Sequence, residues 1–132
     1  MNANGAGRVI LVVEDNEKNL KLVRDVLEFH GFRVVEAGTG EEGVAIARAQ
    51  LPDLVLMDIA LPGIDGIEAT RQLKGGSETT QIPIVALTAS VMHADRARFV
   101  ETGFAGLIAK PIDVLSFPDQ VLAYCSQKAP EA

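Results

Sequence analysis

Short apolar runs, spaced at intervals along the chain, constrain the fold more than any other feature of the sequence. Four of them are continuous rather than alternating, and they cover residues 9–13, 54–57, 84–87 and 107–109. A weaker run covers residues 32–37. A strand that is apolar at every position is buried on both faces, as in a parallel sheet with helices on either side. The runs therefore predict five strands in a parallel sheet.

Helical periodicity fills the segments between these runs. Residues 17–30 repeat apolar side chains at helical spacing, and Gly31 follows where a C-terminal cap belongs. Thr39 and Glu42 have the spacing of a capping box, which begins a second helix that ends at Ala49. The other helices are predicted at 65–74, at 94–102 and near the C-terminus.

The last helix contains an irregularity. Asp113 has the side chain of an N-terminal cap. A helix that began at Asp113, however, would need a backbone N–H donor at position 118, which Pro118 lacks. We therefore expect this helix to begin late or to bend at Pro118.

Alternating strands and helices in 132 residues predict an α/β fold with one domain. The expected architecture is a doubly wound, five-stranded parallel sheet in the flavodoxin-like order 2-1-3-4-5, flanked by five helices. The domain is predicted at residues 8–127, with residues 1–7 and 128–132 as flexible tails.

Composition and charge exclude several classes of function. The net charge of −6 disfavours a nucleic-acid surface, and the single cysteine permits neither an intrachain disulfide nor a cysteine-based zinc site. No apolar run reaches the roughly 18 residues of a membrane-spanning helix, and the first residues do not resemble a signal peptide. A cytoplasmic protein without direct contact to nucleic acid or membrane is expected.

Polar residues follow the strands at the edge where ligands bind in such sheets. The first strand is followed by two carboxylates, the third ends in a carboxylate, the fourth in a hydroxyl and the fifth in an ammonium group. These residues are Glu14, Asp15, Asp58, Thr88 and Lys110. Because the strands concerned are neighbours in the expected order, their ends are predicted to converge on one pocket.

Carboxylates that lie close together repel each other unless a cation intervenes. Mg²⁺ suits this set because it prefers oxygen ligands and needs only one or two carboxylates, with Mn²⁺ as an alternative. Asp15 and Asp58 are the expected direct ligands, with the backbone carbonyl of Ala60, while Glu14 is expected to act through a water molecule. Lys110 supplies a further positive charge.

The same residues suit phosphoryl transfer, which requires positioning and charge neutralisation. Asp58 is the expected nucleophile, which would form an aspartyl phosphate. Lys110 would neutralise the phosphoryl oxygens, and Thr88 would donate a hydrogen bond to one of them. The chain is expected to be a signalling phosphoacceptor rather than an enzyme.

The motifs around these residues resemble the response-regulator receiver domain of two-component signalling, over about residues 8–127. The likeness is greatest to single-domain cell-cycle-type regulators and to the receivers of hybrid histidine kinases. The matching segments are residues 13–16, 56–66, 86–89 and 110–112. The separations are also similar, at 43, 30 and 22 residues between Asp15, Asp58, Thr88 and Lys110.

The resemblance implies partners and a switch. The donor would be a histidine kinase or a histidine phosphotransfer protein, the phosphoaspartate would hydrolyse slowly, and the Lys110–Pro111 peptide would be cis. An output protein would bind the surface of the fourth helix, fifth strand and fifth helix, after Thr88 moved the segment 89–93. Leu107 departs from the family, which usually has an aromatic residue there, so the switch is expected to differ or to be smaller.

Three alternatives remain open at this point. A flavodoxin-like electron carrier would share the fold, although Glu14 and Asp15 would repel the phosphate of its cofactor. A phosphatase with an aspartyl intermediate would need a second carboxylate two residues after Asp58, where Ala60 stands. A receiver that serves only as a docking module would ignore phosphate.

Overall fold

The structure is a computed structural model, and it describes Gly5 and residues 7–89 and 96–125. Over these residues it contains a single sheet of parallel strands with helices on both faces. The strands are β1 (Val9–Val13), β2 (Arg33–Ala37), β3 (Leu54–Asp58), β4 (Ile84–Thr88) and β5 (Gly106–Ala109). The helices are α1 (Glu17–Phe29), α2 (Gly40–Gln50), α3 (Gly66–Lys74), α4 (Arg96–Thr102) and α5 (Phe117–Cys125).

The strand order is β2-β1-β3-β4-β5, so the predicted flavodoxin-like order is confirmed. The register aligns the carboxyl ends of the inner strands. Val13 of β1 pairs with Met57, Asp58 of β3 pairs with Leu87, and Thr88 pairs with Ala109. The ends of β1, β3, β4 and β5 consequently lie side by side at one edge of the sheet.

The sheet is buried on both faces, as its continuous apolar runs predicted. Every residue of β3 and β4 is buried. On one face the core includes Val44 of α2, Leu73 of α3 and Phe99 of α4. On the other face it includes Leu27 of α1 and Phe117 of α5. Burial of each such side chain contributes about 1.5–3 kcal/mol, and this holds the strand ends in place.

Polar caps begin the helices close to the positions that the sequence predicted. Thr39 Oγ1 accepts a hydrogen bond from the backbone N–H of Glu42 at 3.1 Å, and Glu42 Oε1 accepts one from Gly38 N at 3.0 Å. Asn16 and Asp65 cap α1 and α3 in the same way. Of the fourth helix, predicted at 94–102, the first two residues lie outside the described part of the chain.

The late start of the last helix is confirmed. Asp113 accepts hydrogen bonds from Leu115 N and from Ser116 Oγ, and this turn precedes the first helical residue, Phe117. Pro118 is therefore the second residue of α5, where a helix requires no backbone N–H.

The segment before β1 is attached to the corner between α1 and β2. Gly5 N donates a hydrogen bond to His30 O at 2.8 Å, and Gly7 N donates one to Gly31 O at 3.0 Å. The remainder of the predicted tails, residues 1–4, 6 and 128–132, lies outside the described residues. No helix in the described ranges has the length and apolarity needed to cross a membrane.

Candidate functional site

The predicted polar residues meet at the carboxyl edge of the sheet. Asp58 and Thr88 are the last residues of β3 and β4, and both are buried. Glu14 follows β1 directly, and its backbone N–H donates to Ala37 O at 3.0 Å, which extends the pairing with β2. Lys110 follows β5, and its backbone N–H donates to Thr88 O at 2.8 Å. Sheet pairing thus positions these side chains.

Lys110 joins two of the carboxylates. Its Nζ atom lies 3.1 Å from Glu14 Oε1 and 3.3 Å from Asp58 Oδ2. The side chains of Glu14, Asp58 and Lys110 are 1%, 6% and 19% exposed, so these ion pairs are largely removed from water. A buried charge without a partner would be strongly destabilising, and the pairing therefore explains how the anions are tolerated.

The carboxylates form a group that fits a hard cation. Glu14, Asp15 and Asp58 each offer an oxygen, and these oxygens lie within 4.8 Å of one another. Asp15 is exposed, whereas the other two are buried, so the group opens to solvent on the Asp15 side. An all-oxygen set of this size suits Mg²⁺ or Mn²⁺, as the sequence predicted.

Both oxygens of Glu14 are engaged within the protein. Oε1 accepts from Lys110 Nζ at 3.1 Å, and Oε2 accepts from the backbone N–H of Asn16 at 3.1 Å. These bonds are compatible with the expectation that Glu14 contacts a cation only through water, which remains a prediction.

Electrostatic effects in the pocket oppose one another. Burial raises the pKa of Glu14, and the nearby charge of Asp58 adds to the rise, although the hydrogen bonds from Asn16 and Lys110 act against it. Burial alone would lower the pKa of Lys110, but its hydrogen bond to Glu14 and the charges of Asp58 and Glu14 outweigh this and raise it. Lys110 is therefore a firmly charged cation in a pocket with excess negative charge.

The loop that follows β3 is closely attached to Asp58. The backbone N–H of Ala60 donates to Asp58 Oδ1 at 3.1 Å, so each carboxylate oxygen has a partner. Gly66, the first residue of α3, packs directly on the backbone of Asp58, because a Cβ atom there would overlap Asp58 O and lie 3.0 Å from the Cα of Ile59. The role of the Ala60 carbonyl as a metal ligand remains a prediction.

Two features implied by the family resemblance can be followed in the structure. The Lys110–Pro111 peptide is cis, as expected. Of the segment 89–93 that was expected to move with Thr88, only Ala89 lies within the described residues.

Leu107 stands at the position where the family usually has an aromatic residue. It is half-buried and packs against the core on the α4 side of the sheet. A cavity of about 350 Å³ lies beside it, between α4, β5 and α5. Its lining includes Phe99, Val100, Phe104, Leu107 and Tyr124.

Sequence reasoning assigned no individual role to three residues that shape the site. Asn16 anchors Glu14 through its backbone, and its place after two acidic residues and before a helix could have indicated a cap. Gly66 directly follows the Asp65 cap, and a glycine at the start of a helix could have indicated close packing against the backbone. Glu41 contacts the loop after Asp58, and no sequence pattern marks this contact.

A five-stranded parallel sheet with an acidic pocket and a paired lysine at its carboxyl edge defines a receiver class of signalling domain. The family model described as the response regulator receiver domain matches residues 10–121. The chain belongs to this family, which acts in two-component signalling. Its members interact with histidine kinases or phosphotransfer proteins and with output partners.

Known relatives support the same assignment. The chain is 41% identical over 115 residues to the polar-differentiation response regulator DivK of Brucella ovis, covering 87% of this chain and 94% of that protein. The receiver domain of the sensor histidine kinase PA1611 from Pseudomonas aeruginosa, solved with a magnesium ion in its active-site cleft, is 32% identical. It has a TM-score of 0.84, over 91% of this chain and 98% of that chain.

A manganese-bound response regulator, Rcp1, is 26% identical with a TM-score of 0.73, over 88% of this chain and 90% of that chain. The expected likeness to single-domain regulators and to hybrid-kinase receivers is therefore confirmed. Membership of the receiver family argues against the flavodoxin-like electron carrier.

Proposed function

We propose that the chain accepts a phosphoryl group on Asp58 from a phosphohistidine donor, and that it acts as a phosphoacceptor rather than as an enzyme with a separate substrate. The donor would be a histidine kinase or a histidine phosphotransfer protein. The observation that carries this proposal is the contact of Asp58 Oδ2 with Lys110 Nζ at 3.3 Å, inside a group of carboxylates that fits a divalent cation.

In the proposed reaction, a carboxylate oxygen of Asp58 attacks the phosphorus atom. The new oxygen–phosphorus bond forms as the bond from phosphorus to the donor nitrogen breaks, and the imidazole leaves with that electron pair. Lys110 and the hydroxyl of Thr88 stabilise the negative charge of the phosphoryl oxygens. A bound Mg²⁺ or Mn²⁺, held by Asp15, Asp58 and the Ala60 carbonyl, would supply additional neutralisation of charge.

Phosphorylation would add about 1.5–2 negative charges beside Thr88 and Lys110. Thr88 ends β4, next to the edge strand β5, so a movement there would bias the face formed by α4, β5 and α5. The apolar cavity on this face, with Val100 exposed beside it, offers a docking place for the output protein.

The assignment of Asp58 is tested by intact-protein mass spectrometry after incubation with acetyl phosphate and Mg²⁺. Wild-type protein is expected to gain one phosphoryl group, and Asp58→Asn is expected to gain none. Asp119→Asn, on the exposed first turn of α5, is the matched control and should label as wild type. Single-site labelling of the Asp58→Asn variant would refute the assignment.

The wild-type measurement also separates the remaining alternatives. Failure to label, with acetyl phosphate or with any histidine kinase, would favour the docking module that ignores phosphate. Multiple turnovers of small phosphate esters would favour the phosphatase.

A further inference from the structure

The loop between β3 and α3, residues 59–65, connects Asp58 to the next helix and contains the proposed metal ligand Ala60. Backbone hydrogen bonds hold both of its ends. Ile59 N donates to Leu87 O at 3.3 Å, which attaches the start of the loop to β4. Gly66 N donates to Ile59 O at 3.1 Å, which closes the base of the loop.

The tip of this loop is held by the first turn of α2. The backbone N–H of Ile64 donates to Glu41 Oε2 at 3.3 Å. Gly63 has a φ of +72° and lies against the same carboxylate, since a Cβ atom there would be 2.8 Å from Glu41 Oε2. Gly40 packs equally closely, because its Cβ would be 2.7 Å from Ile64 O.

The first turn of α2 is itself a fixed support. The capping bond between Thr39 and Glu42 defines where the helix begins. One turn later, Gly43 lies so close to β1 that a Cβ atom would be 2.7 Å from Val13 Cγ2. The helix start is therefore anchored to β1, the strand next to β3, and this fixes the position from which Glu41 reaches the loop.

We propose that Glu41 is a positioning residue that holds the tip of the 59–65 loop and thereby keeps the divalent-cation site in its binding conformation. The carboxylate acts through the backbone of Ile64 and the left-handed turn at Gly63. This inference rests on the proposed function, because it presumes that the backbone of Ala60 contributes to the cation site.

The test compares Glu41→Ala with Glu42→Ala in the full chain. Both residues are exposed acids in the same helical turn, but Glu42 bonds to Gly38 and Thr39 rather than to the loop. Mg²⁺ binding, measured by isothermal titration calorimetry, is expected to weaken about fivefold in Glu41→Ala. This loss is smaller than the typical loss of affinity when a residue that hydrogen-bonds to a buried metal ligand is removed, because Glu41 is exposed. Glu42→Ala should bind as wild type.

A second readout follows the loop directly. Amide hydrogen exchange at Ile64 without metal should be faster in Glu41→Ala and nearly unchanged in Glu41→Gln, which keeps an acceptor oxygen but not the charge. Equal loss of Mg²⁺ affinity in Glu41→Ala and Glu42→Ala would overturn the inference, because surface charge alone would then explain the effect. Wild-type protein that binds no Mg²⁺ would instead contradict the proposed function.

Discussion

At the residue scale, the buried carboxylate of Glu14 is an unfavourable charge in the pocket. Its pKa is raised above the ordinary value, mainly by burial. Because the pKa is higher in the folded than in the unfolded chain, ionisation of Glu14 disfavours the folded state. This cost grows as the pH rises above about 4.3, the ordinary value for glutamate, and becomes constant once the raised pKa is passed.

We therefore predict that Glu14→Gln stabilises the metal-free protein at pH 7. The expected effect is a higher free energy of unfolding, because the neutral amide does not incur the cost of burying a charge. The gain should disappear below about pH 4, where the wild-type side chain is protonated as well. Urea denaturation in EDTA across this range provides the measurement, and a variant less stable than wild type at pH 7 would show that the bond to Lys110 dominates.

The pocket residues could be predicted because each is adjacent to an apolar strand and the strand order places their ends together. Asp58, Thr88 and Lys110 lie where that reasoning expected them. The sequence could not show how Lys110 divides its contacts between Glu14 and Asp58, because rotamers and short distances decide this. Nor could the sequence show the contact of Glu41 with Ile64, because this contact depends on the local backbone conformation at Gly63.

At the scale of elements, the start of α3 determines how closely a helix approaches the proposed phosphoacceptor. Gly66→Ala is predicted to destabilise the fold by about 1–3 kcal/mol, since the added methyl group would overlap Asp58 O in a packed region. Displacement of Asp58 should also slow labelling by acetyl phosphate. Chemical denaturation and the rate of labelling measure the two effects.

Gly75→Ala, at the other end of α3, is the matched control for that substitution. A Cβ atom there would make an ordinary contact, 3.5 Å from Arg71 O, and φ is −82°. We expect a stability change near zero or a small gain, because alanine restricts the unfolded chain. Equal effects of the two substitutions would mean that the contact with Asp58 is unimportant.

Most elements could be predicted from periodicity and caps, and the differences have local causes. The second helix reaches Gln50, one residue beyond the predicted Ala49, because Leu51 adopts a left-handed conformation with φ of 49° and ends it there. A non-glycine residue gives little sequence warning of such a conformation. The late start of α5 was foreseeable, since Pro118 restricts where that helix can begin.

At the scale of the whole molecule, an apolar strip leads away from the pocket along α1 and the turn before α5. We define the α1 strip as Leu22, Phe29, Val114 and Leu115. Leu22 and Lys110 line the same small groove, which joins the strip to the pocket. Phe29 and Leu115 are 79% and 89% exposed, which is unusual for large apolar side chains outside an interface.

Because Asp58 is buried, the proposed donor protein would have to contact the surroundings of the pocket to deliver its phosphoryl group. The double substitution Phe29→Ser and Leu115→Ser is therefore predicted to slow transfer from a phosphorylated histidine kinase by about tenfold, a typical loss for an interface anchor. Labelling by acetyl phosphate should be unchanged. Rapid-quench transfer assays measure the first rate and mass spectrometry the second.

Val100→Ser is the control for the α1 strip, because Val100 is exposed on α4, across the sheet from α1. It should leave transfer from the kinase unaffected. If the α4 control slowed transfer and the α1 substitutions did not, the donor would approach from the opposite side.

The bond between Lys110 and Glu14 joins residues 96 positions apart. Synthesis from the amino terminus therefore makes the carboxylates of the pocket before the lysine that pairs with them. A growing chain that lacks β5 would hold crowded carboxylates without their internal counter-charge. Competence to accept a phosphoryl group should therefore arise only after the segment that carries Lys110 has been synthesised and has joined the sheet.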